Sequence, residues 1–195
     1  MSGKFSSKVE AMELAALARQ HDFSLFVAAA DLGLERILGS VEGLGRARQA
    51  VADCATVWGG GSNLVADLAY CCERAGEVDE ALELLDRALE ESNATDERWS
   101  EAEIHRLKGQ WLLTHHPTRL AEAESSYQRA LEVAHGQEAK FWELRAATGL
   151  ARLWRDQGKR QQAHDLLAPV YGWFTEGFDT LDLKEAKTLL HELAR

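Results

Sequence analysis

With 195 residues, 46% of them apolar, this polypeptide can bury a sizeable core as one domain or one array of repeats, which excludes disorder as its main state. It holds 22 Lys and Arg against 32 Asp and Glu, a formal charge of −10, so it lacks the basic footprint that nucleic acid or anionic lipid requires. Three cysteines, two of them adjacent (Cys54, Cys71, Cys72), suit neither a disulfide framework nor a zinc site, and they are expected as reduced core fillers. No 18-residue apolar run occurs and "MSGKFSSKVEAMEL" lacks the apolar stretch of a signal peptide, so a cytoplasmic protein is expected, with Asn93-Ala94-Thr95 carrying no glycan.

Breakers at Gly39, Gly59 to Gly61, Gly76, Asn93 to Asp96, Pro117, Gly136, Gly158 and Gly177 divide the sequence into segments with a 3.6-residue apolar period. A leading helix is expected over 8–20, and it reads as the second helix of a pair whose first is absent. The first full helix pair is expected over 22–58. The triple glycine of "VWGGGSNLV" lacks the Gly-Lys-Ser/Thr ending of a phosphate-binding loop and reads as a turn feeding an N-cap at Ser62 or Asn63. Further pairs are expected over 62–94, 98–136 and 138–174. In the third, Glu101 and His105 stand one turn apart and read as a solvated contact, because no second pair completes a metal site. His115-His116-Pro117 closes a helix, where imidazoles suit the dipole.

In the last pair, Pro169 removes a backbone donor and is expected to kink or stop the helix. The aromatic stretch "VYGWFTEGFDT" (Tyr171, Trp173, Phe174, Phe178) then reads as filler beneath a capping helix over 180–194, with a ligand pocket as the alternative. Asp179 or Thr180 is the N-cap candidate for that helix, whose apolar positions are 183, 186, 189, 190 and 193.

A repeat underlies these pairs. "GEVDEALELLDRALE", "PTRLAEAESSYQRALE" and "GKRQQAHDLLAPVY" each place a small residue, a bulky one four later and a small or apolar one three after that. The triplets are Ala81/Leu85/Ala88, Ala123/Tyr127/Ala130 and Ala163/Leu167/Val170, with a weaker copy at Gly43/Ala47/Ala50. Small residues let neighbouring helices approach, and the bulky one fills the gap between them. The preceding helices have their own patterns, Val65/Leu68/Ala69/Cys72 and Ala147/Leu150/Ala151/Trp154, with Gly109 at a position of close backbone contact.

The helix-turn-helix unit with Gly76, Glu80-Ala81 and Ala88-Leu89 resembles the tetratricopeptide repeat. Its spacing here, about 40 residues, exceeds the usual ~34 by about one helical turn. Over 97–193, "RWSEAEIHRLKGQWLL" and "AKFWELRAATGLARLWRDQGKRQQAHDLLAPVYGWFTEGFDTLDLKEAKTLLHEL" are similar to the C-terminal end of large bacterial signalling proteins. In those, a class III nucleotide cyclase domain or a regulatory ATPase precedes tetratricopeptide-like repeats. The resemblance implies an all-α, α-α superhelix of antiparallel pairs closed by a C-terminal capping helix. It also implies the sensor or scaffold end of a signalling protein, for nothing here matches a cyclase domain or a phosphate-binding loop.

No serine or cysteine stands in a nucleophile context, so no enzyme, cofactor or metal is expected. The first helix of each pair should line a concave groove. Helical offsets place Asn63, Tyr70, Glu73 and Arg74 there, then Glu103, Arg106 and Gln110, then Arg145, Arg152 and Arg155. The last three recur at seven and three residues and form an arginine stripe suited to an acidic peptide, a polypeptide C-terminus or an anionic metabolite. The alternative is that these arginines pair with Glu and Asp on neighbouring helices. A protein or peptide partner in the groove is the first functional reading. A small-ligand sensor and a self-associating scaffold, a homodimer through the N-terminal helices of 8–40, are the alternatives.

Overall fold

The computed structural model describes residues 41–58, 62–95 and 97–194, with single positions at 13, 16, 17 and 20. Apart from those four positions, the expected helix over 8–20 and the part of the first pair before residue 41 lie outside the described residues. Eight α-helices and no strand occur among the described residues. They are α1 (Val41–Trp58), α2 (Ser62–Ala75), α3 (Val78–Thr95), α4 (Glu101–His115), α5 (Leu120–Gly136), α6 (Lys140–Asp156), α7 (Arg160–Gly172) and α8 (Leu181–Leu193). None is long and apolar enough to cross a membrane. The protein divides into two compact units, Met1–Arg98 and Trp99–Arg195.

In the first unit α2 packs against both α1 and α3. The apolar period of each helix turns one stripe inward: Leu44, Ala47 and Val51 of α1, Val65, Leu68, Ala69, Cys71 and Cys72 of α2, and Ala81, Leu82, Leu84, Leu85 and Ala88 of α3. Each buried leucine contributes about 1.5–3 kcal/mol by leaving water. Ala81, Leu85 and Ala88 are fully enclosed, as the small–bulky–small pattern requires.

In the second unit α4 packs on α5 and α6, α6 packs on α5 and α7, and α8 closes on α6 and α7. Thus α4, α6 and α8 follow one another in one layer, with α5 and α7 behind. Alanine seams (Ala123, Ala130, Ala147, Ala151, Ala163 and Ala186, all buried) bring the backbones close, and Leu144, Leu167, Leu183 and Leu189 fill the space between. Val170, the third member of its triplet, is only partly buried against this cluster.

The same helix ending recurs in both units. At Gly76 (φ 91°) the amide of Glu77 donates to Cys72 O at 2.9 Å and that of Gly76 to Glu73 O at 3.0 Å. At Gly158 (φ 79°) Lys159 and Gly158 donate to Trp154 O and Arg155 O in the same way. This is the Schellman arrangement, which needs a left-handed residue after the helix. Between α5 and α6 that residue is Glu138 (φ 55°), with Ala139 and Glu138 donating to Ala134 O and His135 O. The expected breaker there, Gly136, is instead the last residue of α5.

Three expectations need correction. α7 does not stop at Pro169 but runs to Gly172, the lost donor falling in its last turn. Of the four rings after it, Tyr171 and Phe174 pack against the core beneath α8, but Trp173 and Phe178 are 58% and 46% exposed. They lie edge-on to Phe174 (5.2 Å) and tilted against Tyr171 (5.9 Å), so only half of the stretch acts as filler. Glu101 is not solvated: it is 2% exposed, with His105 Nε2 at 4.0 Å and Arg129 at 3.9 Å. Thr180, in extended backbone conformation, is the N-cap residue of α8.

Candidate functional site

The α4/α6/α8 layer of the second unit carries a groove of about 650 Å³. Helical periodicity builds it. Arg106 and Gln110 are one turn apart on α4, and Arg145, Arg152 and Arg155 share a stripe of α6; all five line the groove. From the first unit, Asn63 and Tyr70 are half-buried and Arg74 exposed on α2. They belong to a different compact unit from the other five candidates.

The arginines are held by the protein's own carboxylates. Arg106 grips Glu103 with two N–H groups (2.6 and 3.0 Å) and donates a third to Gln110. Glu103 also accepts Arg145 at 2.8 Å, joining α4 to α6. On the other side, α8 presents Asp182 to Arg145 (3.5 Å), Glu185 to Arg152 (2.7 Å) and Glu192 to Arg155 (2.7 Å). Asp156 takes the Nε of Arg155 at 2.9 Å, and this bond, with the one to Glu192, raises the Arg155 pKa against the opposing effect of burial. The neighbouring-helix pairing considered from sequence therefore describes these side chains, and an unopposed cationic stripe does not. The ladder is nearly neutral, and its exposed pairs each contribute about 0–1 kcal/mol.

Tyr127 of α5 forms the floor. The gap that admits it is made by two glycines: a Cβ on Gly109 would stand 3.0 Å from ring Cδ2 and 3.1 Å from Ala123 O, and one on Gly149 would stand 2.8 Å from Cζ. The ring passes between α4 and α6 and reaches the groove while only 4% of the residue is exposed. Burial raises the phenol's pKa, with Arg106 and Arg152 pulling weakly the other way, so it is a neutral O–H donor at neutral pH. Sequence reasoning identified the ring as gap filler but not its polar tip. It also missed Asp182, Glu185 and Glu192, whose helical spacing on α8 was the available signal.

Leu120 and Leu181 add apolar edges, Leu181 being 71% exposed. No group of three His, Cys, Asp or Glu suited to a metal occurs among the described residues. Cys71 and Cys72 are buried and form no disulfide; burial pushes the Cys72 thiol up to about 11, which leaves it un-ionised and a poor nucleophile near neutrality.

These features define an all-α protein of packed helical hairpins with a polar, arginine-rung groove. No protein-family model matches the sequence, and no curated protein does. Among solved structures it is similar to "Crystal structure of BtubC (BKLC) from P. vanneervenii". The two align with a TM-score of 0.72 and 17% identity, over 100% of this protein and 91% of that one. At this identity the likeness shows a shared fold.

Proposed function

We propose that the protein is a non-catalytic interaction module, an α-α superhelix of tetratricopeptide-like pairs capped by α8, that receives a protein or peptide partner in the groove of its second unit. The repeated triplets support the superhelix, as does the α4/α6/α8 layer backed by α5 and α7. Placement at the regulatory end of a cytoplasmic bacterial signalling protein follows from the sequence resemblance and belongs to the same proposal.

One observation carries the functional part. Four helices contribute to a trough in which guanidinium groups alternate with carboxylates above an apolar and phenolic floor. Such a surface offers many hydrogen bonds of both senses with aliphatic contacts between them, the composition that recognises an extended peptide rather than one small anion. The test is to pan a random-peptide display library on the immobilised protein. Enriched peptides should bind at least about tenfold more weakly to the Arg152→Gln/Arg155→Gln variant, which avoids placing like charges opposite Glu185 and Glu192. Equal binding to the variant would place recognition elsewhere.

A further inference from the structure

The Tyr127 hydroxyl has no assigned partner. Its ring is enclosed between Gly109 and Gly149 and 96% of the residue is buried, yet no described group hydrogen-bonds the oxygen. The residue is enclosed at its ring, while it lines the groove at its hydroxyl end, where a guest can reach it. Packing therefore explains the ring and does not explain the oxygen.

What surrounds the hydroxyl specifies a ligand group. Arg152, on the same groove wall, commits one of its five N–H donors to Glu185 and keeps the rest for a guest. Arg106 is fully turned toward Glu103 and Gln110, so it acts as a fixed positive neighbour. A neutral O–H donor and a guanidinium with uncommitted N–H groups line the same groove beside a second cation. Leu181 and Leu120 flank the groove with exposed aliphatic surface.

We infer that Tyr127 and Arg152 form the anchor subsite of the groove, holding the carboxylate of an aspartate or glutamate side chain of a bound peptide whose neighbouring aliphatic residues lie on Leu120 and Leu181. This deepens the proposed function and rests on its groove. Because the ladder around the subsite is already nearly neutral, recognition comes from directed, charge-assisted hydrogen bonds rather than from a long-range field.

The test uses the full-length protein and an N-acetylated, C-amidated, fluorescently labelled Leu-Glu-Leu-Glu-Leu-Glu peptide. Its comparators are the glutamine counterpart, and that glutamine peptide with a free C-terminus. Anisotropy should show the glutamate peptide binding about tenfold more tightly than either comparator, and Tyr127→Phe should erase that preference without lowering the melting temperature. The inference is overturned if Tyr127→Phe keeps the preference, if the wild type shows none, or if the free-C-terminus peptide is the one preferred. Should Tyr127→Phe keep the preference while the arginine variant still loses library peptides, the groove reading stands and only the anchor fails. If neither variant changes any binding, both fail.

Discussion

Leu85 and Tyr127 occupy the same place in successive repeats, the bulky member between two alanines, and they do different things there. In the first unit Leu85, like Ala81 and Ala88 on the same helix, is completely buried and carries no polar atom to the surface. In the second, two glycines open the seam enough for an aromatic ring, and its hydroxyl emerges on the other side into a groove. The charge differs in parallel. Residues 1–98 hold 9 Lys and Arg against 18 Asp and Glu, and residues 99–195 hold 13 against 14, so the protein's −10 is almost entirely a property of the first unit. A repeat position thus specifies volume, and the residue that fills it decides whether the seam is only core or also a route to the surface.

Substitutions that separate volume from chemistry sharpen this contrast. The largest effect is expected for Leu85→Ala, which leaves a cavity in a closed seam and should cost about 2–5 kcal/mol in urea unfolding. A loss below about 1 kcal/mol would mean that the first unit is packed less tightly than its enclosed side chains indicate. Next comes Gly149→Ala, where the new Cβ overlaps the Tyr127 ring; about 1–3 kcal/mol should be lost, and adding Tyr127→Leu should recover part of it. Recovery identifies the ring as the obstacle, and its absence would assign the glycine to helix–helix distance alone. The smallest effect concerns the shared turn. Glu138 occupies the left-handed position that Gly76 and Gly158 occupy elsewhere, so Glu138→Gly should raise stability by about 1 kcal/mol in the same measurement.

Periodic features were legible in the sequence. Arg145, Arg152 and Arg155 share a stripe because seven- and three-residue steps return to one helical face, and the small–bulky–small triplets marked the seams because size alone decides close approach. Features set by contacts between distant segments were not legible. Glu185 and Glu192 meet Arg152 and Arg155 across separations of 33 and 37 residues, and no local pattern says which helix face will oppose which. The same holds for Trp173 and Phe178: aromatic content announced burial, while the short turn before α8 leaves room for only two of the four rings. At the α5–α6 turn a nearby glycine drew attention from the residue that takes the left-handed conformation, since Schellman geometry counts from the end of the helix and not from composition.

The rungs between α6 and α8 can be inverted without touching the core. Leu183, Ala186 and Leu189 secure α8 from its other face, so an arginine and its opposing glutamate could trade helices and the backbone would have no reason to move. Descendants of this protein are then free to rewrite the pattern of charges that a visitor reads while inheriting the scaffold unchanged.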